Sequence, residues 1–95
     1  MIFTLILNIY SHSENEGIIS KTVFKEVETD VPPQVGYTIE DTLWNRNEKV
    51  KIGSVVINSD DGKCFVNLTA AKKTNKSHVE KFYNLAIQHH DWKDF

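Results

Sequence analysis

The sequence predicts an α+β protein, mainly β, in which five short antiparallel strands form a bent sheet or a partly open barrel and one C-terminal helix packs on it. Two observations support this fold class. Stretches rich in β-branched and aromatic residues alternate with turn signals through most of the chain, and a single stretch near the C-terminus has apolar residues at helical spacing. Because 95 residues suffice for one hydrophobic core, we expect a single domain over 1–95.

The first strand is expected over 2–10, where both alternating sets of residues are largely apolar. One set is Phe3, Leu5, Leu7 and Ile9, and the other contains Ile2, Ile6 and Tyr10. A strand that is apolar on both faces lies inside a sheet that is covered above and below. The polar stretch 11–17 then predicts a hairpin loop, and a second strand is expected over 18–28, where lysines share a face with apolar residues and indicate partial exposure.

A rigid corner is predicted after the second strand. Pro32 and Pro33 cannot donate backbone hydrogen bonds, and Gly36 can adopt the positive φ of a tight turn. The following segment, 37–44, is ambiguous, because Ile39 and Leu43 are spaced for a helical turn while its threonines and aromatic residues favour a strand. We predict a strand there.

Two more strands and a helix complete the prediction. The strands are expected over 49–58, with a bulge at Gly53, and over 63–70, joined by an Asp-Gly hairpin turn. The helix is expected over 78–90, with Ser77 and Glu80 forming a capping box at its start. Its apolar face would consist of Val79, Phe82, Tyr83, Ala86, Ile87 and His90.

The composition argues against several function classes. The net charge is −2, and only one of the eleven basic residues is an arginine, so base-specific recognition of nucleic acid is not expected. The single cysteine, Cys64, cannot form an intramolecular disulfide, which is typical of a reducing cytoplasm, and its strand-like surroundings predict a buried thiol. The N-terminal apolar run has no basic start and is too short to span a bilayer, so we expect a cytoplasmic protein without a membrane partner. The abundance of Lys, Asn and Ile is typical of AT-rich coding sequence and indicates a bacterial or phage source.

Catalytic, cofactor and metal motifs are absent from the sequence. His89, His90 and Asp94 come nearest to a metal group, but a metal needs three or four convergent ligands, and histidines at the end of a helix are typically solvated. We therefore expect no enzyme activity, no cofactor and no bound metal.

The aromatic residues support the main functional hypothesis, a non-catalytic module that binds another protein or associates with itself through an uncovered edge strand. The candidate binding residues are Tyr37, Trp44, Arg46 and Trp92. Trp44 beside a predicted turn and Trp92 beyond the helix face are hard to bury, although both rings could instead close the ends of the sheet. One alternative is weak binding of single-stranded nucleic acid by a 37–51 hairpin, in which aromatic rings lie among lysines. A second alternative is a small enzyme or metal protein that uses residues of the C-terminal tail.

Overall fold

The computed structural model describes residues 2–45 and 47–95 and shows a mainly β protein with one helix packed on a single open sheet. The predicted fold class is confirmed. The described residues form seven strands rather than the five predicted, and the sheet does not close into a barrel. The elements are β1 (Ile2–Ser13), β2 (Gly17–Glu28), β3 (Thr38–Ile39), β4 (Val50–Ile57), β5 (Cys64–Leu68), β6 (Ala71–Lys72), α1 (Lys76–His89) and β7 (Lys93–Asp94).

The strands follow the order β3-β4-β5-β1-β2-β7, with β6 also paired to β1. Two antiparallel hairpins, β1–β2 and β4–β5, lie side by side in the sheet. Strand β1 pairs in parallel with β5 and with β6, so the prediction of a purely antiparallel sheet was wrong. The reason is that the long connection between β2 and β4 crosses over β1 and β5, so that β4 runs in the same direction as β2. Strand β5, which is antiparallel to β4, therefore runs parallel to its neighbour β1.

The core lies on one face of the sheet, which we call the inner face. Leu5, Leu7 and Ile9 point to this face from β1 and are buried, and Val79 and Ala86 pack against the sheet from α1. The prediction that β1 is covered on both faces was wrong. On the opposite, outer face the side chains of β1 are half-buried or exposed. The described residues form only one helix, and a single helix covers one face.

The connection between β2 and β4 contains the predicted corner. Gly36 has a φ of 91°, and the amide of Tyr37 donates to the carbonyl of Gln34 at 3.1 Å, which confirms a tight turn. The predicted strand over 37–44 shrinks to β3, two residues long. Beyond β3, the carboxylate of Asp41 accepts a hydrogen bond from the amide of Leu43 at 2.9 Å. This side-chain bond to the backbone replaces a strand ladder with a turn.

The second hairpin largely follows the prediction. The register shift between Ile52 and Ser54 confirms the bulge at Gly53, and Gly62, with a φ of 73°, ends the predicted turn. Strand β5 ends earlier than the predicted 63–70, because the chain there leaves β4 and re-pairs with β1 as β6. Cys64 is a buried free thiol, as predicted.

Helix α1 begins at Lys76, two residues earlier than predicted, because Asn75 and not Ser77 caps it. The Oδ1 atom of Asn75 accepts from the amide of His78 at 3.0 Å, so the capping box of Ser77 and Glu80 was wrong. The predicted apolar face is otherwise confirmed. His90 follows the helix as its C-cap, and the tail folds back as β7 against β2. 

Candidate functional site

The structure brings two of the predicted binding residues together in the core. The indole of Trp44 is 8% exposed and that of Trp92 is 1% exposed, and their ring centroids lie 6.0 Å apart. The Nε1 atom of Trp44 donates to the carbonyl of Ile39 at 3.0 Å, so its polar atom is satisfied inside the protein. In this structure neither ring is an exposed anchor, because both lie in the core beside each other.

The other two predicted residues are separated from this pair. Tyr37 is 44% exposed and lies at the wall of a groove, whereas Arg46 lies outside the described residues. The predicted set of four therefore does not form one exposed surface among the described residues.

A half-buried ion pair lies next to the two tryptophans. The Nζ atom of Lys25 lies 2.8 Å from Oδ2 of Asp41 and donates to the carbonyl of His90 at 3.2 Å. The Nε1 atom of Trp92 donates to Oδ1 of Asp41 at 3.3 Å. Burial opposes ionisation of Asp41, but the hydrogen bonds from Lys25, Leu43 and Trp92 outweigh it and hold the pKa of this carboxyl below its usual range. The two charged groups are fully engaged with each other and with the chain, so their role is to hold segments together.

A groove of about 520 Å³ opens beside this ion pair, between the inner face of the sheet and the proline segment. Its lining includes Phe3, Val27, Pro33, Tyr37, Ile39 and Ile52. The volume falls in the range of small-molecule pockets, but such sites also need a few polar groups that orient a ligand. Lys25 and Asp41 in the wall of the groove are already paired with each other, so these two charged side chains hold the fold together.

The outer face of the sheet carries a more specific feature, a band of apolar side chains across four strands that we call the outer strip. Its members are Ile2, Ile6, Phe24, Val56, Phe65 and Phe95. The register explains the band, because Val56 lies opposite Phe65 and Ile6 lies opposite Phe24. Phe95, just beyond β7, meets Phe24 edge-to-face with ring centroids 5.9 Å apart.

Much of the outer strip faces solvent. Ile2, Val56 and Phe95 are 61%, 51% and 65% exposed. Between the aromatic rings the surface forms a shallow depression of about 600 Å³. Sequence reasoning missed this surface because it interpreted the second apolar set of β1 as buried. The signal that could have found it is the single helix, which leaves the second face uncovered.

One edge of β4 adjoins the outer strip and has no neighbouring strand. Strand β3 pairs with Val50 and Lys51, and the amide of Gly36 donates to the carbonyl of Ile52 at 2.9 Å, but the described chain adds no strand beside 54–57. This free edge is β-branched and uncharged over Val55, Val56 and Ile57, and Ile57 is 71% exposed. Unpaired strand edges are templates for another strand.

The alternatives from the sequence find less support in the geometry. The described residues contain no group of three or more His, Cys, Asp or Glu side chains placed to hold a metal. His90 and Asp94 do not share a helix face, because Asp94 lies in β7 and Nδ1 of His90 is 2.9 Å from Oγ1 of Thr42. The 37–51 segment forms a short antiparallel pairing of β3 with β4 over two residues, in which Tyr37 is exposed but the Trp44 ring is buried and is not presented for stacking.

No helix in the described part of the chain is long and apolar enough to cross a membrane. Comparisons with protein-family models, with curated proteins and with solved structures found no match to this chain. Its function is therefore inferred from the outer strip and the free edge of β4.

Proposed function

We propose that this chain is a non-catalytic protein-binding module whose binding surface consists of the outer strip and the adjoining free edge of β4. The supporting observation is that the largely exposed side chains of Ile2, Val56 and Phe95 lie on the same face of the sheet as the half-buried side chains of Ile6, Phe24 and Phe65. Contiguous apolar patches on small proteins typically mark interaction sites, and aromatic residues are the usual anchors of such interfaces. Phe24, Phe65 and Phe95 fill that role here, in place of the two buried tryptophans.

The free edge suggests how a partner binds. An extended segment laid beside 54–57 would complete the backbone hydrogen bonds of β4, and its alternate side chains would lie next to Val56 on the outer face. The main-chain bonds would supply affinity, and the outer strip would select apolar side chains. The preferred partner segment is thus extended, apolar and β-branched or aromatic.

Two further expectations belong to this proposal. The buried free thiol of Cys64 is consistent with a reducing compartment, so we propose a cytoplasmic location for the module. The Lys-, Asn- and Ile-rich composition supports a bacterial or phage source.

A peptide-display selection tests the proposal. Random peptides long enough to form one strand are selected on the immobilised full chain, and the enriched peptides are then titrated against purified variants. Val56→Lys places a charge at the junction of the free edge and the outer strip, and we expect it to weaken binding by at least about tenfold. Ser20→Lys adds the same charge to an exposed outer-face position on β2, away from β4, and should leave binding unchanged.

Thermal unfolding of both variants checks that they are folded. The proposal is wrong if no peptide is enriched, or if the enriched peptides bind the Val56→Lys variant as tightly as the natural chain.

A further inference from the structure

We propose that a basic depression beside the first turns of α1 binds the phosphate group of an organic phosphate monoester. The depression has a volume of about 340 Å³ and lies between α1 and the segment that precedes it. Its basic lining residues are Lys72, Lys73, His78 and Lys81, its apolar ones are Phe82 and Leu85, and none of the described lining residues is acidic. The described residues of this site do not overlap with the outer strip, so the two surfaces are independent.

The charge of the chain is unevenly distributed around this depression. Residues 72–81 contain four lysines and one glutamate, which is a net charge of +3 with histidine neutral. The whole chain has a net charge of −2, so the remaining residues together have a net charge of −5. A positive surface on an otherwise acidic protein attracts anions to that surface and not to the rest of the molecule.

Glu80, Glu16 and Glu48 lie near this depression but do not line it. Glu80 is two residues from His78, and residues two apart in a helix do not face each other. Oε1 of Glu16 accepts from the amide of Lys76 at 3.3 Å, so this carboxylate already occupies the start of the helix. Glu48 lines a neighbouring depression. The proposed site therefore consists of basic side chains and does not use the helix terminus.

The ammonium group of Lys73 is held in place before any ligand binds. The amide of Lys73 donates to the carbonyl of Tyr10 at 2.7 Å, which fixes its backbone against β1. Its Nζ lies 3.8 Å from the ring centroid of Phe82, and contact with a neutral ring positions the charge without neutralising it. In the part of the chain that the structure describes, neither Lys73 nor Lys81 forms an ion pair with a carboxylate. An anion in the depression would supply the missing opposite charge.

His78 adds a directional donor to the site. Its Nδ1 pairs with Oγ1 of Thr74, so Nε2 is the ring nitrogen left to contact a ligand. When the threonine hydroxyl donates to Nδ1, the proton of the neutral ring is on Nε2, which then donates. A phosphate monoester at neutral pH has a charge of roughly −1.5 to −2 and three terminal oxygens that accept hydrogen bonds. These oxygens match the N–H of His78 and the ammonium groups of Lys73 and Lys81.

The apolar side of the depression favours an organic phosphate over inorganic phosphate. Leu85 is 41% exposed and lies one helical turn after Lys81. An apolar group bonded to the phosphate can cover this side chain, and affinity rises with the apolar area that is removed from water. The expected ligand thus has a phosphate group at one end and an apolar body beside it.

Titration of the ¹⁵N-labelled full chain with phenyl phosphate, followed by NMR, tests this site. We expect saturable shifts of the amides of 72–85 and binding at least about threefold tighter than that of inorganic phosphate. Co-sedimentation with vesicles of phosphatidic acid in phosphatidylcholine, compared with phosphatidylcholine alone, identifies the source of the phosphate. Binding of phenyl phosphate without binding of the acidic vesicles supports a soluble ligand, and binding of the acidic vesicles supports a lipid headgroup.

Substitution of single lysines separates a defined site from general attraction. Lys73→Gln and Lys81→Gln each remove one ammonium group from the depression and should weaken binding of phenyl phosphate by at least about fivefold. Lys63→Gln is the matched control, because it removes an exposed ammonium group beside the outer strip, and it should bind like the natural chain. Thermal unfolding checks that the three variants are folded.

Three results would overturn the inference. It is wrong if neither phenyl phosphate nor the acidic vesicles bind. It is also wrong if Lys63→Gln weakens binding as much as Lys73→Gln, because net charge and not this depression would then attract the anion. Binding of single-stranded nucleic acid without binding of either phosphate monoester would likewise exclude it, since the surface would then recognise a polyanion and not a terminal phosphate.

Discussion

The Nζ atom of Lys25 lies 2.8 Å from Oδ2 of Asp41, and this ion pair joins β2 to the segment between β3 and β4. The same carboxylate accepts from the indole of Trp92 in the C-terminal tail. One side chain, 7% exposed, thus connects three parts of the chain that are far apart in sequence. Removing the Asp41 carboxylate should therefore weaken the packing of all three segments.

The first prediction concerns the size of this effect. Asp41→Asn keeps the shape of the side chain but loses the charge that holds Lys25, and hydrogen bonds to charged groups typically contribute more than neutral ones. We expect the free energy of unfolding at neutral pH to fall by about 1–3 kcal/mol, measured in urea. The control Asp30→Asn changes an exposed carboxylate and should stay within about 0.5 kcal/mol of the natural chain. Equal effects of the two substitutions would contradict the structural role of Asp41.

The second prediction gives the pH dependence of the same group. The folded-state pKa of Asp41 lies below its unfolded value, so the folded protein binds this proton less tightly than the unfolded chain. The stabilisation is therefore complete above the unfolded pKa, about 4, and is lost as pH falls through the lower folded pKa. The stability difference between the natural chain and Asp41→Asn should be constant from pH 7 to about 5 and shrink below about 4. Urea unfolding at a series of pH values measures it, and a difference that grows on acidification would show the opposite shift.

Local patterns in the sequence predicted much of the fold. Alternation correctly assigned Leu5, Leu7 and Ile9 to the core, and helical spacing correctly placed Val79 and Ala86 against the sheet. These features depend on residues close together in the chain, where the side-chain period alone decides which face is apolar.

Long-range pairing and the candidate site were harder to predict. No local sequence pattern indicates that β5 pairs in parallel with β1, because this pairing depends on which strands the connection between β2 and β4 crosses. The burial of Trp92 likewise requires Asp41 to accept from its indole, and this contact forms only once the tail folds back. Trp44 donates to the nearby carbonyl of Ile39, but its contact with the ring of Trp92 also depends on the tail. The outer strip was missed because an apolar strand face predicts burial. Whether that face is in fact exposed depends on how many helices and strands are available to pack against it.

The third prediction tests the central position of β1, which has β2 on one side and β5 and β6 on the other. Amides of 5–9 should exchange among the slowest in the protein, because opening them requires global unfolding. Leu7, 1% exposed, is the matching side-chain test, and Leu7→Ala should destabilise by about 2–5 kcal/mol. Ile2→Ala on the same strand removes a largely exposed side chain and should have a much smaller effect. Rapid exchange across Leu5 to Ile9 would contradict the strand order.

The fourth prediction concerns the start of α1. Asn75 accepts from the amide of His78, so Asn75→Ala should cost about 0.5–2 kcal/mol, as for other N-cap residues. Ser77 is an exposed residue within the first turn, and Ser77→Ala should be nearly neutral. Chemical unfolding of the two variants measures the loss of stability in each. A larger loss for Ser77→Ala than for Asn75→Ala would show that Ser77 caps the helix, as predicted from the sequence.

The last prediction uses the two tryptophans as reporters of the core. An indole in an apolar core emits at shorter wavelength than one in water, so Trp92→Phe and Trp44→Phe should each leave a single blue-shifted indole that iodide quenches poorly. Trp92→Phe should also be destabilising, because Asp41 loses the indole donor and Lys25 exchanges the indole ring, 5.8 Å from its Nζ, for a smaller phenyl ring that attracts a cation less strongly. Because the natural chain contains both rings, the single variants are needed to assign each signal. If the indole that remains in Trp92→Phe emits like a solvated one, Trp44 is exposed in solution. The binding surface would then also include the β3–β4 connection, as predicted from the sequence. Peptides that bind at Val56 would in that case cover only part of the binding surface.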